Sequence, residues 1–252
     1  MPNKNDSPSL PISQVITQRL KDAHKRYHAN DNIADFLSEE EKSALIDEVA
    51  DKFDTVLRAL LIDTDSDPNS RDTGRRFAKM YINETYAGRF TPSPKVTSFP
   101  NEKLNPQGPN GDSSRPDYTF SGLLVVPVDL ISVCSHHMAT VTGVAYIGII
   151  PGNDVIGLSK YVRIAQHQAQ RGTLQEQLTE DILKAIQKAA KTRDVAVMNI
   201  STHGCMQCRG VHSINSYTSS AELGGLFLAS SELRDEFYKH VTMLEDRRSR
   251  KG

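Results

Sequence analysis

The stretch LLVVPVDLISVCSHHMATVTGVAYIGII, residues 123–150, decides the fold. Leu123 to Val133 is rich in Val, Leu and Ile, and Val141 to Ile150 has the same character. Runs of this kind, bounded by turn residues, read as strands. Pro151-Gly152-Asn153-Asp154 supplies a turn after the second run. The pattern predicts two antiparallel strands joined through His136-His137, which puts Cys134 and both histidines at strand ends.

Downstream, Leu174, Leu178, Ile182, Leu183, Ile186 and Ala189 recur at helical spacing and predict a long helix. Strands are expected around Val195 to Thr202 and again around Gln207 to Tyr217. Upstream, Ser38 with Glu41 fits a capping box. Leu45, Ile46, Val49, Phe53, Val56, Leu57, Leu60 and Leu61 then mark an amphipathic helix. After a turn at Asp67-Pro68-Asn69 a second helix is expected over Thr73 to Tyr86, with Gly88 placed to stop it. The proline-rich residues 91–119 read as a long surface loop. Residues 1–37 read as a tail and N-terminal extension, partly disordered, because the first dozen residues lack apolar periodicity. The scheme is thus 1–37 extension, 38–90 helical region, 91–119 loop and 120–252 main domain. Its order of elements predicts an α+β fold, an antiparallel sheet with helices on one face.

Composition narrows the function. Lys+Arg 30 against Asp+Glu 31 leaves a formal charge of -1, so no global basic field recruits nucleic acid. A polyanionic ligand must be gripped by a few local cations. No apolar run approaches the roughly 18 residues of a membrane span, and the N-terminus lacks a signal-peptide core, so a cytoplasmic protein is expected. Three cysteines are an odd number for a disulfide framework and suggest metal binding or nucleophilic chemistry instead.

Cys134-Ser135-His136-His137 and, further on, His203-Gly204-Cys205 gather thiolate and imidazole near strand ends. Zinc prefers those ligands, and a catalytic zinc keeps three of them plus an open position. Cys134, His137 and Cys205 would make such a site. Two other readings compete. These residues are also compatible with ordinary buried cysteines and surface histidines. Alternatively, Cys134-x-x-His137 with Cys205-x-x-Cys208 has the ligand count of a closed structural zinc site. If Val195 to Tyr217 ran as strand, Cys205 and Cys208 would face opposite ways, which disfavours Cys208; a turn inside Gly204 to Cys208 would undo that argument.

Four motifs occur in order: Cys-Ser-His-His at 134–137, Val-Ile-Gly-Leu-Ser-Lys at 155–160, Leu-Gln-Glu-Gln-Leu-Thr at 174–179 and His-Gly-Cys-Met-Gln-Cys-Arg-Gly at 203–210. Together they resemble the GTP cyclohydrolase I family, over about Leu45 to the C-terminus. The resemblance implies a tunnelling fold and a homodecamer of two pentameric rings with sites at subunit interfaces. It implies conversion of GTP to 7,8-dihydroneopterin triphosphate plus formate. Carried over, Cys134, His137 and Cys205 bind Zn2+, and His136 and His203 handle protons. Gln175 and Glu176 hold the guanine edge. Ser159, Lys160, Arg163 and Arg209 meet the triphosphate, with Ser159 also serving the later rearrangement.

The chemistry suits these residue types. C8 of guanine is a poor electrophile until N7 is protonated, so an acid must face the attacking water. A carboxylate accepts from N1–H and the exocyclic amino group of guanine together, an arrangement adenine does not offer. A triphosphate needs point-charge and bidentate cations. Taken singly, Glu176 is also an ordinary first-turn helix carboxylate, and Lys160, Arg163 and Arg209 are ordinary surface cations. The chain departs from the family at Ser135, where Glu is usual, and at Thr73-Gly74-Arg75-Arg76, where Thr-Pro-x-Arg is usual. His167 and Gln168 replace two usual aromatics. Such departures leave room for an enzyme that stops before pterin closure, or for a silent nucleotide-binding paralogue.

Overall fold

A computed structural model describes residues 10–101 and 122–250. The first nine residues of the expected tail, and most of the expected 91–119 loop, lie outside the described residues. The chain divides into two compact units, residues 1–92 and 93–252.

The first unit is helical: α1 (Ile12–Asp22), α2 (Glu39–Ala59), α3 (Thr73–Met80) and α4 (Ala87–Phe90). Helix α2 starts where its capping box requires. Ser38 Oγ accepts from the Glu41 amide at 3.2 Å, and the Glu41 carboxylate accepts from the Ser38 amide at 2.9 Å. Arg19 of α1 reaches the same carboxylate at 2.6 Å, so one side chain both closes the cap and ties α1 to α2. A small core of Ile16, Leu20 and Ile33 forms beneath α1, inside the 1–37 extension. Between α2 and α3, Phe53 stacks on Phe77 with ring centroids 3.7 Å apart. The helices cross closely because residue 74 is glycine: a Cβ there would lie 2.7 Å from the Ala50 carbonyl oxygen.

Two expectations for this unit need correction. Gly88 does not stop the second helix. Instead α3 passes into a π-type turn over Tyr81–Thr85, and Gly88 sits inside α4, its carbonyl accepting from Asn32 Nδ2 at 2.7 Å. In α2 the buried stripe is narrower than the apolar repeat: Ala50 and Leu57 are buried, but Val56, Leu60 and Leu61 are exposed.

The second unit is built on a five-stranded sheet in the order β5-β2-β3-β6-β7. Its strands are β2 (Leu124–Cys134), β3 (Thr140–Ile149), β5 (Gly172–Thr173), β6 (Val195–His203) and β7 (Thr218–Leu223). All neighbours are antiparallel except the short β5, which runs parallel to β2 and pairs Thr173 with Cys134. Helices α5 (Leu158–Ala169) and α6 (Gln175–Ala190) cover one face. Their Ile164, Ala165, Leu178, Ile182 and Ile186 pack with Val128, Ala145, Ile147 and Val197 of the sheet in the main core. This agrees with the α+β fold expected from the sequence. On the opposite face, Tyr146 and Ala196 pack with Phe227 of α8 (Leu226–Ala229) and with Phe237 and Val241 of α9 (Ser231–Ser249).

The strand expected over Gln207 to Tyr217 is absent among the described residues. The chain leaves β6 into a helical turn, α7 (Gly204–Gln207), and bends until β7 begins at Thr218. Gly210 and His212 take positive φ, and the apolar Val211, Ile214 and Tyr217 that suggested a strand are exposed. Nor is the described part of residues 91–119 all loop, since β1 (Ser98–Pro100) pairs antiparallel with β4 (Asp154–Ile156).

Candidate metal centre and adjoining cavity

The sheet register assembles the site. Strand β2 ends at Cys134 and turns through Ser135 to Met138, closed by the Met138 amide on the Cys134 carbonyl at 2.9 Å and the Cys134 amide on the Ala139 carbonyl at 2.9 Å. Across the sheet, Val141 pairs with His203, so the end of β6 and the turn α7 lie beside that tip. Gly204 permits the approach, because a Cβ on it would meet the Thr140 carbonyl oxygen at 2.7 Å. As a result, one ligand atom each of Cys134, His137 and Cys205 lies within 4.8 Å of the others. Cys134 is buried, Cys205 half-buried and His137 exposed.

Cys208 is exposed and is no member of this cluster. The alternation argument against it loses its premise, since a helical turn falls inside Gly204–Cys208. It is the observed placement that separates Cys208 from the other thiols. Burial pushes the Cys205 thiol up, and the neighbouring Cys134 adds to the effect. Two thiols in contact resist deprotonation together, and a cation between them would reverse that preference. Two thiolates and an imidazole with an open side form a donor set that fits zinc. Arg209 Nη1 lies 2.7 Å from His137 Nε2.

Beside the cluster is a cavity of about 290 Å³, lined by residues that include Cys134, His136, Gln175, Glu176, His203 and Cys205. Five of the expected site residues therefore share one cavity with Gln175. Glu176 stands in the first turn of α6, exposed, with no hydrogen bond or ion pair among the described residues. Burial holds His203 below the ordinary histidine range, partly opposed by the Glu176 carboxylate. His203 Nε2 lies 2.6 Å from Gln175 Oε1 and 2.8 Å from Thr218 Oγ1. Gln175 is itself buried, its Nε2 donating to the Asn199 carbonyl at 3.0 Å, the Thr218 carbonyl at 3.2 Å and Ser220 Oγ at 3.2 Å.

Ser159, Lys160 and Arg163 do not line this cavity. They occupy the first turns of α5, where Lys160 Nζ donates to the Lys95 carbonyl at 2.9 Å. The C-terminal end of α5 leads into β5, whose Thr173 pairs with Cys134. Twelve helical residues, about 18 Å at 1.5 Å each, separate the two ends. Sequence reasoning missed Thr218 and Ser220 as neighbours of the site. Polar residues on a short edge strand carry no motif, and Thr218 begins a strand expected elsewhere.

Comparison with known proteins bears on this arrangement. The family described as GTP cyclohydrolase I matches residues 49–242. GTP cyclohydrolase 1 of Mannheimia succiniciproducens is 39% identical over 173 residues, 68% of this chain and 73% of that protein. The protein of the same name from Actinobacillus pleuropneumoniae is 37% identical over 191 residues, 75% and 81% of the two chains. That of Aeromonas salmonicida is 38% identical over 174 residues, 68% and 73%. Across a match that takes in the Cys134, His137 and Cys205 cluster, the cavity and the sheet that aligns them, this chain belongs to the GTP cyclohydrolase I family.

Proposed function

We propose that this protein opens the imidazole ring of GTP, releases formate and forms 7,8-dihydroneopterin triphosphate, a step of pterin biosynthesis. The observation that carries the reading is a two-thiol, one-imidazole cluster whose two cysteines line one cavity with His136, His203 and Glu176. Cys134, His137 and Cys205 would hold Zn2+. A zinc ion bound there supplies a water acidic enough to ionise near pH 7.

The remaining steps belong to the chain's own side chains. Glu176 accepts from N1–H and the exocyclic amino group of guanine, which orients the base and rejects adenine. Its carboxylate is exposed and makes no hydrogen bond among the described residues, its one noted influence being the electrostatic one on His203. His203 delivers a proton to N7, which makes C8 open to attack, and His136 handles the second proton. Lys160, Arg163 and Arg209 bind the triphosphate, and Ser159 serves the rearrangement that closes the pterin.

The separation along α5 bears on assembly. Neither residue lines the cavity of its own chain: Lys160 lies nine and Arg163 six residues before the end of α5, about 14 and 9 Å of helix, which fits a site that draws them from a second copy. This supports a site shared between copies of the chain, and we place it in a homodecamer with sites at subunit interfaces, working in the cytoplasm. Among the described residues no helix is long and apolar enough to cross a membrane. Incubation with GTP tests the reaction, with formate and a fluorescent pterin as the expected products. Mixing inactive Lys160→Ala and Cys205→Ser chains tests the interface. Partial recovery of turnover is expected, and none would contradict a shared site.

A further inference from the structure

We infer that Gln175 and Thr218 are positioning residues, which fix the hydrogen of neutral His203 on Nε2 and so make Nδ1 the nitrogen that exchanges protons with the substrate. This rests on the reading of His203 as the proton donor. It moves Gln175 away from the guanine edge, where the family resemblance had put it.

Backbone carbonyls only accept hydrogen bonds. Gln175 Nε2 faces two of them, those of Asn199 at 3.0 Å and Thr218 at 3.2 Å. Rotating the amide by half a turn would set its oxygen against both, two repulsive contacts in a buried place. The orientation of Gln175 is therefore determined, with Oε1 toward His203. The hydroxyls agree. Thr179 Oγ1 donates to the Gln175 carbonyl at 2.9 Å, so in its 2.7 Å contact with Ser220 the donor is Ser220. Ser220 Oγ is then free to accept from Gln175 Nε2 at 3.2 Å.

At the other end of the amide, Thr218 Oγ1 donates to Gln175 Oε1. With its hydrogen committed, Thr218 Oγ1 can only accept from His203. Both atoms within reach of His203 Nε2, at 2.6 and 2.8 Å, are thus acceptors. Nε2 must carry the hydrogen, and the lone pair of the neutral ring falls on Nδ1. In the proposed reaction the Nδ1–H bond of the imidazolium breaks, its proton bonds to the N7 lone pair, and the N–H electron pair stays on Nδ1. The neutral ring left behind is the Nε2–H tautomer, the form these two side chains hold. Gln175 meanwhile has no hydrogen-bonding atom to spare: its nitrogen has three acceptors and its oxygen two donors.

Thr218→Val, nearly isosteric, and Thr218→Ser test this with zinc content measured in parallel. The expected result is a fall in kcat of roughly 10- to 100-fold for Thr218→Val, with KM for GTP and bound zinc unchanged, and recovery in Thr218→Ser. Gln175→Leu is expected to lower kcat likewise while leaving the preference for GTP over inosine triphosphate intact. Equal kcat in the valine and serine variants, or a Gln175→Leu variant that loses guanine preference and raises KM, would overturn the inference. A second measurement does not depend on the variants or on turnover. Histidine 15N NMR of the zinc-loaded wild type at alkaline pH should show a protonated Nε2 and a bare Nδ1 for His203, and the reverse pattern would overturn the assignment. Wild-type protein with no action on GTP would sink the proposed reaction, and the NMR result would still decide the tautomer.

Discussion

Truncating Glu176 isolates the recognition of guanine from the stability of the fold. In the structure its carboxylate is exposed in the first turn of α6 and has no hydrogen bond or ion pair among the described residues. Glu176→Ala therefore removes from the fold chiefly the favourable interaction with the helix N-terminus, about 0.3–1 kcal/mol of stability, together with its electrostatic effect on His203. Recognition should suffer more. The exocyclic amino group of guanine donates to a charged acceptor, a bond worth about 1.5–3 kcal/mol once enclosed. At 1.4 kcal/mol per decade this is roughly 10- to 150-fold in kcat/KM. Inosine triphosphate differs from GTP by that amino group alone, so wild-type protein should prefer GTP by about that factor. In Glu176→Ala the preference should fall toward unity while affinity for inorganic tripolyphosphate is kept. Steady-state kinetics with both nucleotides provide the assay. A variant that keeps the wild-type preference would refute the role of Glu176, however low its activity.

Three further outcomes are expected. Cys205→Ser should abolish stoichiometric zinc while Cys208→Ser retains it, as metal analysis of the purified proteins would reveal; loss in both would reopen the closed four-ligand site. Gly74→Ala should lower the melting temperature of the first unit, because a Cβ 2.7 Å from the Ala50 carbonyl oxygen forces α2 and α3 apart. Overpacking costs about 1–3 kcal/mol against roughly 1 kcal/mol of better helix propensity, and an unchanged melting temperature would contradict the close crossing. Finally, Glu41 is held near a pKa of about 2 by the Arg19 guanidinium, with the Ser38 amide adding to it. A carboxyl lowered from 4.5 stabilises the fold above that pH and loses its contribution as pH falls toward 2. Glu41→Gln should flatten this acid limb in melts across pH 2–5, and identical pH profiles would count against the pairing.

Much of this was legible in the residues, for reasons that differ from place to place. The β2–β3 pair was readable because Val, Leu and Ile runs flank a polar turn, and α2 because Ser38 and Glu41 announce its start three residues apart. The meeting of Cys134, His137 and Cys205 was readable from residue type, since all three sit where strands end. What failed were inferences from apolar residues alone. Val211, Ile214 and Tyr217 look like strand residues but are exposed in a bend, and Val56, Leu60 and Leu61 continue a helical repeat without being buried. Gly88 failed as a stop signal because a π-type turn re-phases the helix before it. The network around His203 was hidden for another cause: Gln175, Thr218 and Ser220 meet only after α6, β6 and β7 are in register, and polar side chains far apart in sequence give no local sign of that.

The proposed reaction is the opening of the guanine ring at the Cys134, His137 and Cys205 centre. Its most direct test is to supply zinc-loaded protein with GTP and quantify formate together with pterin absorbance and fluorescence. One formate and one pterin per GTP, both lost in His203→Ala with zinc retained, is the predicted result. Fully zinc-loaded protein that releases neither product would contradict it.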